Sequence, residues 1–389
     1  MSSAFRFATR WVATAILGTL AACSSTPLQP PADEVPARPA AMTPPATSGP
    51  RLPIAATIER PRSRWIAASW AELPGWDRDR AAEFWPAFLR SCERPVAGWL
   101  AACASARKAA AGSDGAVRAW LEQHLQPYRV ESTDGAASGL ATGYFEPLVE
   151  ASRTLRPGFR VALHAPPPDL ASRRPYWTRQ QLEALPAAQK SLRGSEIAWV
   201  RDKLDALLLQ IQGSGRLAFA GTPGAAAQTV RIAFAGTNDQ PYRSIGRWLI
   251  DEGELRTGEA SWPAIRAWAR QHPQRLDEML WQNPRVVFFR EEPLPDPAVG
   301  PKGAQGVPLT PGRSIAVDPQ SVPYGTPVWL DTTEPLSATP LRRLAVAQDT
   351  GSAITGAVRA DYFWGWSADA EAQAGRMKQP LRMWVLWPR

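Results

Sequence analysis

Hydrophobic residues are spaced differently in successive stretches of this 389-residue chain, and the changes of spacing divide it. Arg6 and Arg10 precede a short, largely apolar stretch over 11–22. That stretch is too short to cross a bilayer as a helix, and a charged region followed by a short apolar one is the pattern of an export signal. The apolar pattern then lapses. Nine prolines fall between Pro27 and Pro53, and a segment so composed cannot bury a core and stays extended. Helical spacing follows: Phe84, Trp85, Phe88 and Leu89 predict an amphipathic helix over 77–90, bent at Pro86, and Val117, Trp120, Leu121 and Leu125 predict another over 116–125. From Gly139 onward, glycines, prolines and short apolar runs dominate, which predicts β-structure. Strands are expected at 206–211, 216–220, 229–234, 285–289, 314–317, 327–330, 343–347 and 383–386, with helices at 242–250 and 262–270. Short strands at this spacing suggest a small barrel.

Charge and cysteine placement add to this picture. The formal net charge is +8, or +6 once Arg6 and Arg10 are removed with the signal. A basic balance favours an acidic partner, but no Lys/Arg run is dense enough to argue for nucleic acid. The apolar stretch ends in Leu20-Ala21-Ala22-Cys23, and small residues before a cysteine resemble a bacterial lipobox with Cys23 as the lipidated residue. Ser24 after Cys23 implies sorting to the outer membrane, where several acyl chains would give a stable anchor. Cys92 and Cys103 remain, and an exported chain meets an oxidising compartment that favours a bridge. On one unbroken helix these two would lie about 16 Å apart, whereas a disulfide needs Cα atoms within roughly 7 Å. Pro95 and Gly98 between them can break the helix, so a structural Cys92–Cys103 bridge is expected.

Several chemistries are missing. The three histidines, His124, His164 and His272, are dispersed; no HExxH run or zinc-spaced cysteine pair exists, so no metal site is expected. Neither a Walker loop nor a dinucleotide fingerprint beside a strand is present, and no cofactor is expected. Gln212-Gly213-Ser214-Gly215 approaches a nucleophile elbow but lacks its first glycine. Carboxylate chemistry is left. Asp349 ends an apolar run and opens a Gly-containing turn, and Asp361 follows twelve residues later among Tyr362, Phe363 and Trp364. Aromatic surroundings raise a carboxyl pKa, which keeps the acid protonated near neutral pH and able to donate to a glycosidic oxygen. For Asp349, capping the turn through Thr350–Ser352 is as good a reading as catalysis.

The segment 346–365 resembles the 3D domain of the membrane-bound lytic murein transglycosylase A family, with Asp318 in Val317-Asp318-Pro319 as the third aspartate. Further stretches match the same family: Thr142-Gly143-Tyr144-Phe145-Glu146-Pro147, Gln210-Ile211-Gln212-Gly213-Ser214-Gly215-Arg216, Gly236-Thr237-Asn238, Tyr242-Arg243-Ser244 and Gln282-Asn283-Pro284. The resemblance covers nearly everything from residue 60 on. It implies a mainly β fold with some helices (α+β): a double-psi β-barrel carrying an inserted second β domain. The expected organisation is a signal over 1–22, a tether over 23–57, barrel over 58–145, insert over 146–290 and barrel again over 291–389. It also implies cleavage of peptidoglycan between MurNAc and GlcNAc, with Asp361 as the single acid/base and an internal attack that closes a 1,6-anhydro ring. Asp349 would assist; Thr142, Gln212, Ser214 and Tyr242 would hydrogen-bond the glycan, and Tyr144 and Phe363 would stack on sugar faces. Peptidoglycan strands, the outer membrane and other cell-wall enzymes are the expected partners. Two alternatives stay open: a hydrolase using water activated by Asp349, and a non-cleaving, expansin-like wall-binding protein.

Overall fold

The computed structural model describes residues 55–221 and 227–389. The expected signal over 1–22, Cys23 and the tether up to residue 54 lie outside the described residues. Among the described residues no helix is long and apolar enough to cross a membrane.

Two short strands, β1 (Thr57–Glu59) and β2 (Arg64–Ala67), lead into a group of helices, and β3 (Leu125–Glu131) and β4 (Gly139–Tyr144) follow. A second sheet is then built from β5 (Leu148–Ser152), β6 (Val161–His164), β7 (Glu196–Val200), β8 (Ser214–Phe219), β9 (Gln228–Thr237) and β10 (Val287–Glu292). The chain returns to the first sheet with β11 (Ser314–Val317), β12 (Pro327–Thr333), β13 (Pro340–Asp349), β14 (Arg359–Phe363) and β15 (Lys378–Pro388). Pairing in the first sheet runs β4, β14, β11, β13, β12, β15, and β15 pairs back onto β4. Six strands therefore close a barrel, the fold class that the sequence implied. Two of its pairings, β11 with β13 and β4 with β14, are parallel. Alternation fills the barrel: Ala141, Ile315, Val317, Val328, Leu330, Ala345, Ala347, Ala360, Tyr362, Leu381, Met383 and Val385 belong to one buried cluster.

Neighbouring positions on the same strands, Trp329, Leu344, Val346, Trp384 and Leu386, pack outward against the early helices. Here the expected helix over 77–90 is corrected. Regular α-helix covers only Trp85–Ser91, preceded by short 3-10 turns, and Pro86 sits in its first turn. Proline lacks an N–H that the first turn would leave unbonded anyway, so it starts this helix rather than bending it. Cys92 ends that helix and Cys103 lies in the next, Leu100–Ala106; Gly98 adopts a positive φ in the turn between. The turn brings the two Cα atoms to 5.2 Å, and the cysteines are disulfide-bonded.

The strand expected at 206–211 is also corrected: those residues lie in the helix Lys203–Gln212. Asp202 accepts a hydrogen bond from the Asp205 N–H at its start, and Gly213 closes it in the left-handed conformation. The helix is covered on several sides. Ala206 and Leu209 face the second sheet, Leu204 and Leu207 a helical cluster with Ile245 and Trp268, and Leu208 packs with Phe145, Ala370 and Ala374. Leu204 and the run from Ala206 to Leu209 are buried, and a short continuous apolar run cannot be told from a buried strand by periodicity alone.

That last cluster joins the second sheet's helix to the barrel side, and a buried charge cluster lies beside it. Glu146, 1% exposed, accepts from Arg216 Nε at 2.8 Å and Arg231 Nε at 2.5 Å. Arg231 also donates to the Val299 carbonyl at 2.6 Å, and the Glu146 N–H donates to the Gly365 carbonyl at 2.8 Å. One carboxylate thus ties β8 and β9 to segments flanking the barrel. Removing it leaves two buried guanidinium groups without their counter-ion, a change that costs about 3–5 kcal/mol. Glu146→Ala is expected to lose stability of that order in chemical denaturation, with Glu146→Gln intermediate.

Candidate active site

Strand register brings distant residues into one row. Asp361 on β14 lies beside Thr142 on β4 and beside Ala316 on β11, and Ala316 lies beside Asp349 on β13. The β11–β13 register shifts between Ile315 and Ala316, so that Ala316 meets Asp349 rather than Gln348. Such a bulge re-aims side chains beside functional sites; here it sets both aspartates in one lateral row, with their Cα atoms two strand spacings, about 10 Å, apart. Gln348 is fully buried, accepts from Ser314 Oγ and donates to the Ala87 carbonyl and Ser91 Oγ, which pins the bulge. Gly143, between Thr142 and Tyr144, has a steric reason: a Cβ there would meet Trp364 Nε1 at 2.7 Å and Ala374 Cα at 2.8 Å.

The two carboxylates have different surroundings. Asp361 Oδ1 accepts from Thr142 Oγ1 at 2.5 Å, and among the described residues Oδ2 accepts no hydrogen bond. Burial raises the Asp361 pKa, against the opposing effects of the Thr142 hydrogen bond and the Arg359 charge. Asp349 has three donors: the Ala304 and Thr350 N–H groups, each 2.9 Å from Oδ1, and the Tyr144 hydroxyl, 3.1 Å from Oδ2. Its pKa is nevertheless raised to about 6, chiefly by burial and in part by Asp361. Tyr144 is itself held well above the ordinary phenol range by burial and by both aspartates, so it donates rather than ionises.

Of the expected site residues, Asp361, Asp349, Thr142, Tyr144 and Phe363 come together. Phe363 requires a correction as a stacking surface: it is fully buried, with its ring centroid 5.1 Å from that of Tyr144, and offers no face to a sugar. Gln212 ends its helix with Oε1 accepting from the Phe145 N–H at 3.1 Å, one residue past Tyr144. Ser214 opens β8 and Tyr242 precedes the helix Ile245–Asp251; neither hydrogen-bonds to Asp361 or Asp349 among the described residues. Asp318 is a scaffold group. It is 4% exposed, accepts from Arg62 at 3.1 Å and from the Gln320 and Gly356 N–H groups at 2.9 Å, and so fastens the loop that links Asp349 to Asp361.

Sequence reading missed Arg359. Its Nη2 donates to Thr142 Oγ1 at 2.8 Å and its Nη1 to the Ala360 carbonyl at 2.7 Å. Period-two alternation was the available signal, since 359 and 361 share a face once the segment is a strand. Two open surface pockets, of about 220 and 370 Å3, lie elsewhere and include neither aspartate.

Comparison with known proteins agrees with this geometry. The family described as MltA specific insert domain matches residues 140–290, and the 3D domain family matches residues 313–387. Membrane-bound lytic murein transglycosylase A of Escherichia coli K12 is 31% identical over 268 residues, which are 67% of this chain and 69% of that protein. The lytic transglycosylase LtgG of Burkholderia pseudomallei is 45% identical, with a TM-score of 0.59, over 86% of this chain and 98% of that one. MltA from Neisseria gonorrhoeae is 30% identical, with a TM-score of 0.71, over 85% and 94%. E. coli MltA with bound chitohexaose is 25% identical, with a TM-score of 0.66, over 86% and 94%. On these matches the chain belongs to the membrane-bound lytic murein transglycosylase A family and is a peptidoglycan lytic transglycosylase.

Proposed function

We propose that Asp361 is the acid/base that cuts the glycan and Asp349 the ionised carboxylate that steadies the charge formed on the way. The carrying observation is the asymmetry between them: among the described residues one oxygen of Asp361 has no partner, whereas both oxygens of Asp349 are engaged. Asp361 protonates the oxygen between MurNAc and GlcNAc, and the C1–O bond breaks through an oxocarbenium-like state. The resulting Asp361 carboxylate takes the proton of the C6 hydroxyl of the same MurNAc. O6 bonds to C1, a 1,6-anhydro ring closes, and Asp361 is again protonated. Nucleophile and electrophile share one sugar, so little entropy is lost. Asp349 is a poorer candidate for activating water, because both of its oxygens already accept hydrogen bonds.

Glycan strands as the substrate are supported by the E. coli relative that binds chitohexaose. Gln212, Ser214 and Tyr242, with Thr142 and Tyr144, are proposed as the polar contacts along the strand. We further propose that residues 1–22 are an export signal, that Cys23 is lipidated, and that residues 23–57 tether the enzyme to the periplasmic face of the outer membrane. Relatives named as membrane-bound support this reading.

Three outcomes are expected. Asp361→Asn lowers release of soluble muropeptides by about 10²–10⁴-fold, and mass spectrometry of wild-type products finds 1,6-anhydro ends; reducing ends, or full activity in the variant, would defeat the scheme. Because Asp349 must be ionised, kcat/KM falls as pH drops through about 6, and Tyr144→Phe, which removes a hydrogen bond to the carboxylate, moves that acid limb to higher pH. Finally, Cys23→Ala abolishes incorporation of labelled fatty acid and shifts the protein from the membrane to the soluble fraction.

A further inference from the structure

We propose that Arg359 is a positioning residue that dictates which oxygen of Asp361 carries the acid proton. The inference rests on Asp361 being the acid. A threonine hydroxyl has one proton and accepting lone pairs. Arg359 Nη2 lies 2.8 Å from Thr142 Oγ1, and a guanidinium donates but cannot accept. The Thr142 proton therefore cannot point at Arg359. It goes to Asp361 Oδ1, 2.5 Å away. An oxygen that already accepts this bond is the carbonyl-like one of a protonated carboxyl, so the acid proton sits on Oδ2, the oxygen without a partner among the described residues. The guanidinium is itself oriented by the barrel backbone, since Nη1 donates to the Ala360 carbonyl at 2.7 Å and the Leu140 carbonyl at 3.4 Å. Arg359, Thr142 and Asp361 thus form a one-way relay of donors that starts on the β4–β14 ladder and ends on the reacting carboxyl.

The charged or titratable groups around Asp361 are Arg359 on its own strand, Tyr144 on β4 and Asp349 on β13. Strand β11 contributes only Ala316, and Lys378 of β15, opposite Thr142, is exposed. The Thr142 bond and the Arg359 charge both favour the carboxylate of Asp361. Losing them keeps Asp361 protonated to higher pH and moves the alkaline limb of the rate profile upward.

The test uses soluble glycan strands and full pH profiles for four variants. Arg359→Gln presents an acceptor as well as donors, so it frees the hydroxyl to turn; kcat should fall about 10- to 100-fold with KM nearly unchanged, and the alkaline limb should rise. Arg359→Lys, a donor without an acceptor, should recover most of the loss. Thr142→Val should match the Gln variant in kcat and in the alkaline limb. Thr142→Ser, which keeps the hydroxyl, should recover most of the kcat lost in Thr142→Val, and Arg359→Gln added to Thr142→Val should cost no more kcat. Additive losses, a Lys variant no better than Gln, or an unmoved alkaline limb would overturn the proposal. If the Arg359 variants do not fold, the Val/Ser pair decides alone: equal activities reject it. Asp361→Asn separates the two readings, because full activity there removes the acid itself, whereas an inactive Asp361→Asn beside a failed Arg359 series removes only the relay.

Discussion

The parallel ladder between β4 and β14 joins Thr142 to Asp361 across 219 positions of sequence. No local turn can make that contact; it exists only because β15 pairs back onto β4 and closes the ring. Closure serves two ends together. Inside, it buries the alternate aliphatic positions that stabilise the barrel, and outside it lines up Asp349, Ala316, Asp361 and Thr142 across four strands. The chemistry therefore depends on the register of a hydrophobic core. A slip of one residue in β14 would exchange Asp361 for Ala360 or Tyr362 on the reacting face, because side chains alternate with a period of two.

Around this row, buried charges are spent on geometry more than on stability. Glu146 holds Arg216 and Arg231, and Asp79 holds Arg313 at 2.7 Å with both partners nearly inaccessible. Buried pairs of this kind recover their desolvation cost only when the remaining donors are also satisfied, and here main-chain carbonyls do that: Val299 for Arg231, Leu344 and Arg80 for Arg313. The carboxyl proposed as the acid is treated in the opposite way. Among the described residues Asp361 has one donor, and burial raises its pKa. Asp349, two strand spacings along the same row, has a fuller set of donors that favour its ionised form, while burial still raises its pKa to about 6.

The sequence was informative where short apolar runs are bounded by turn residues. Strands 314–317, 327–330, 343–347 and 383–386 fall inside β11, β12, β13 and β15, and the two aspartates with Thr142 and Tyr144 were legible from motifs. It misled where a helix buries a continuous apolar run, as in Lys203–Gln212, whose Leu204 and Ala206 to Leu209 are all buried. β14 escaped notice because Arg359-Ala360-Asp361 alternates small and charged residues without an apolar run, and with the strand went Arg359. Phe363 was given a surface role on its aromatic character alone; its depth is set by Tyr144 and Trp366 packing against it, which no local pattern reports. The bulge at Gln348, likewise, depends on Ala87 and Ser91 from a distant helix.

The barrel is interrupted between β4 and β11 by the whole second sheet and its helices. A polypeptide threading out from its amino end delivers Thr142 and Tyr144 long before Asp349 and Asp361 arrive. Until β14 and β15 emerge, the strand bearing Thr142 has neither of its barrel neighbours, and the row of Thr142, Asp361 and Asp349 is incomplete. Contacts so far apart in sequence form late, since the intervening loop must be ordered first. The order of segments along the chain is in this sense a safety catch. An enzyme able to breach the wall gains its cutting edge only once nearly all of its chain is in place.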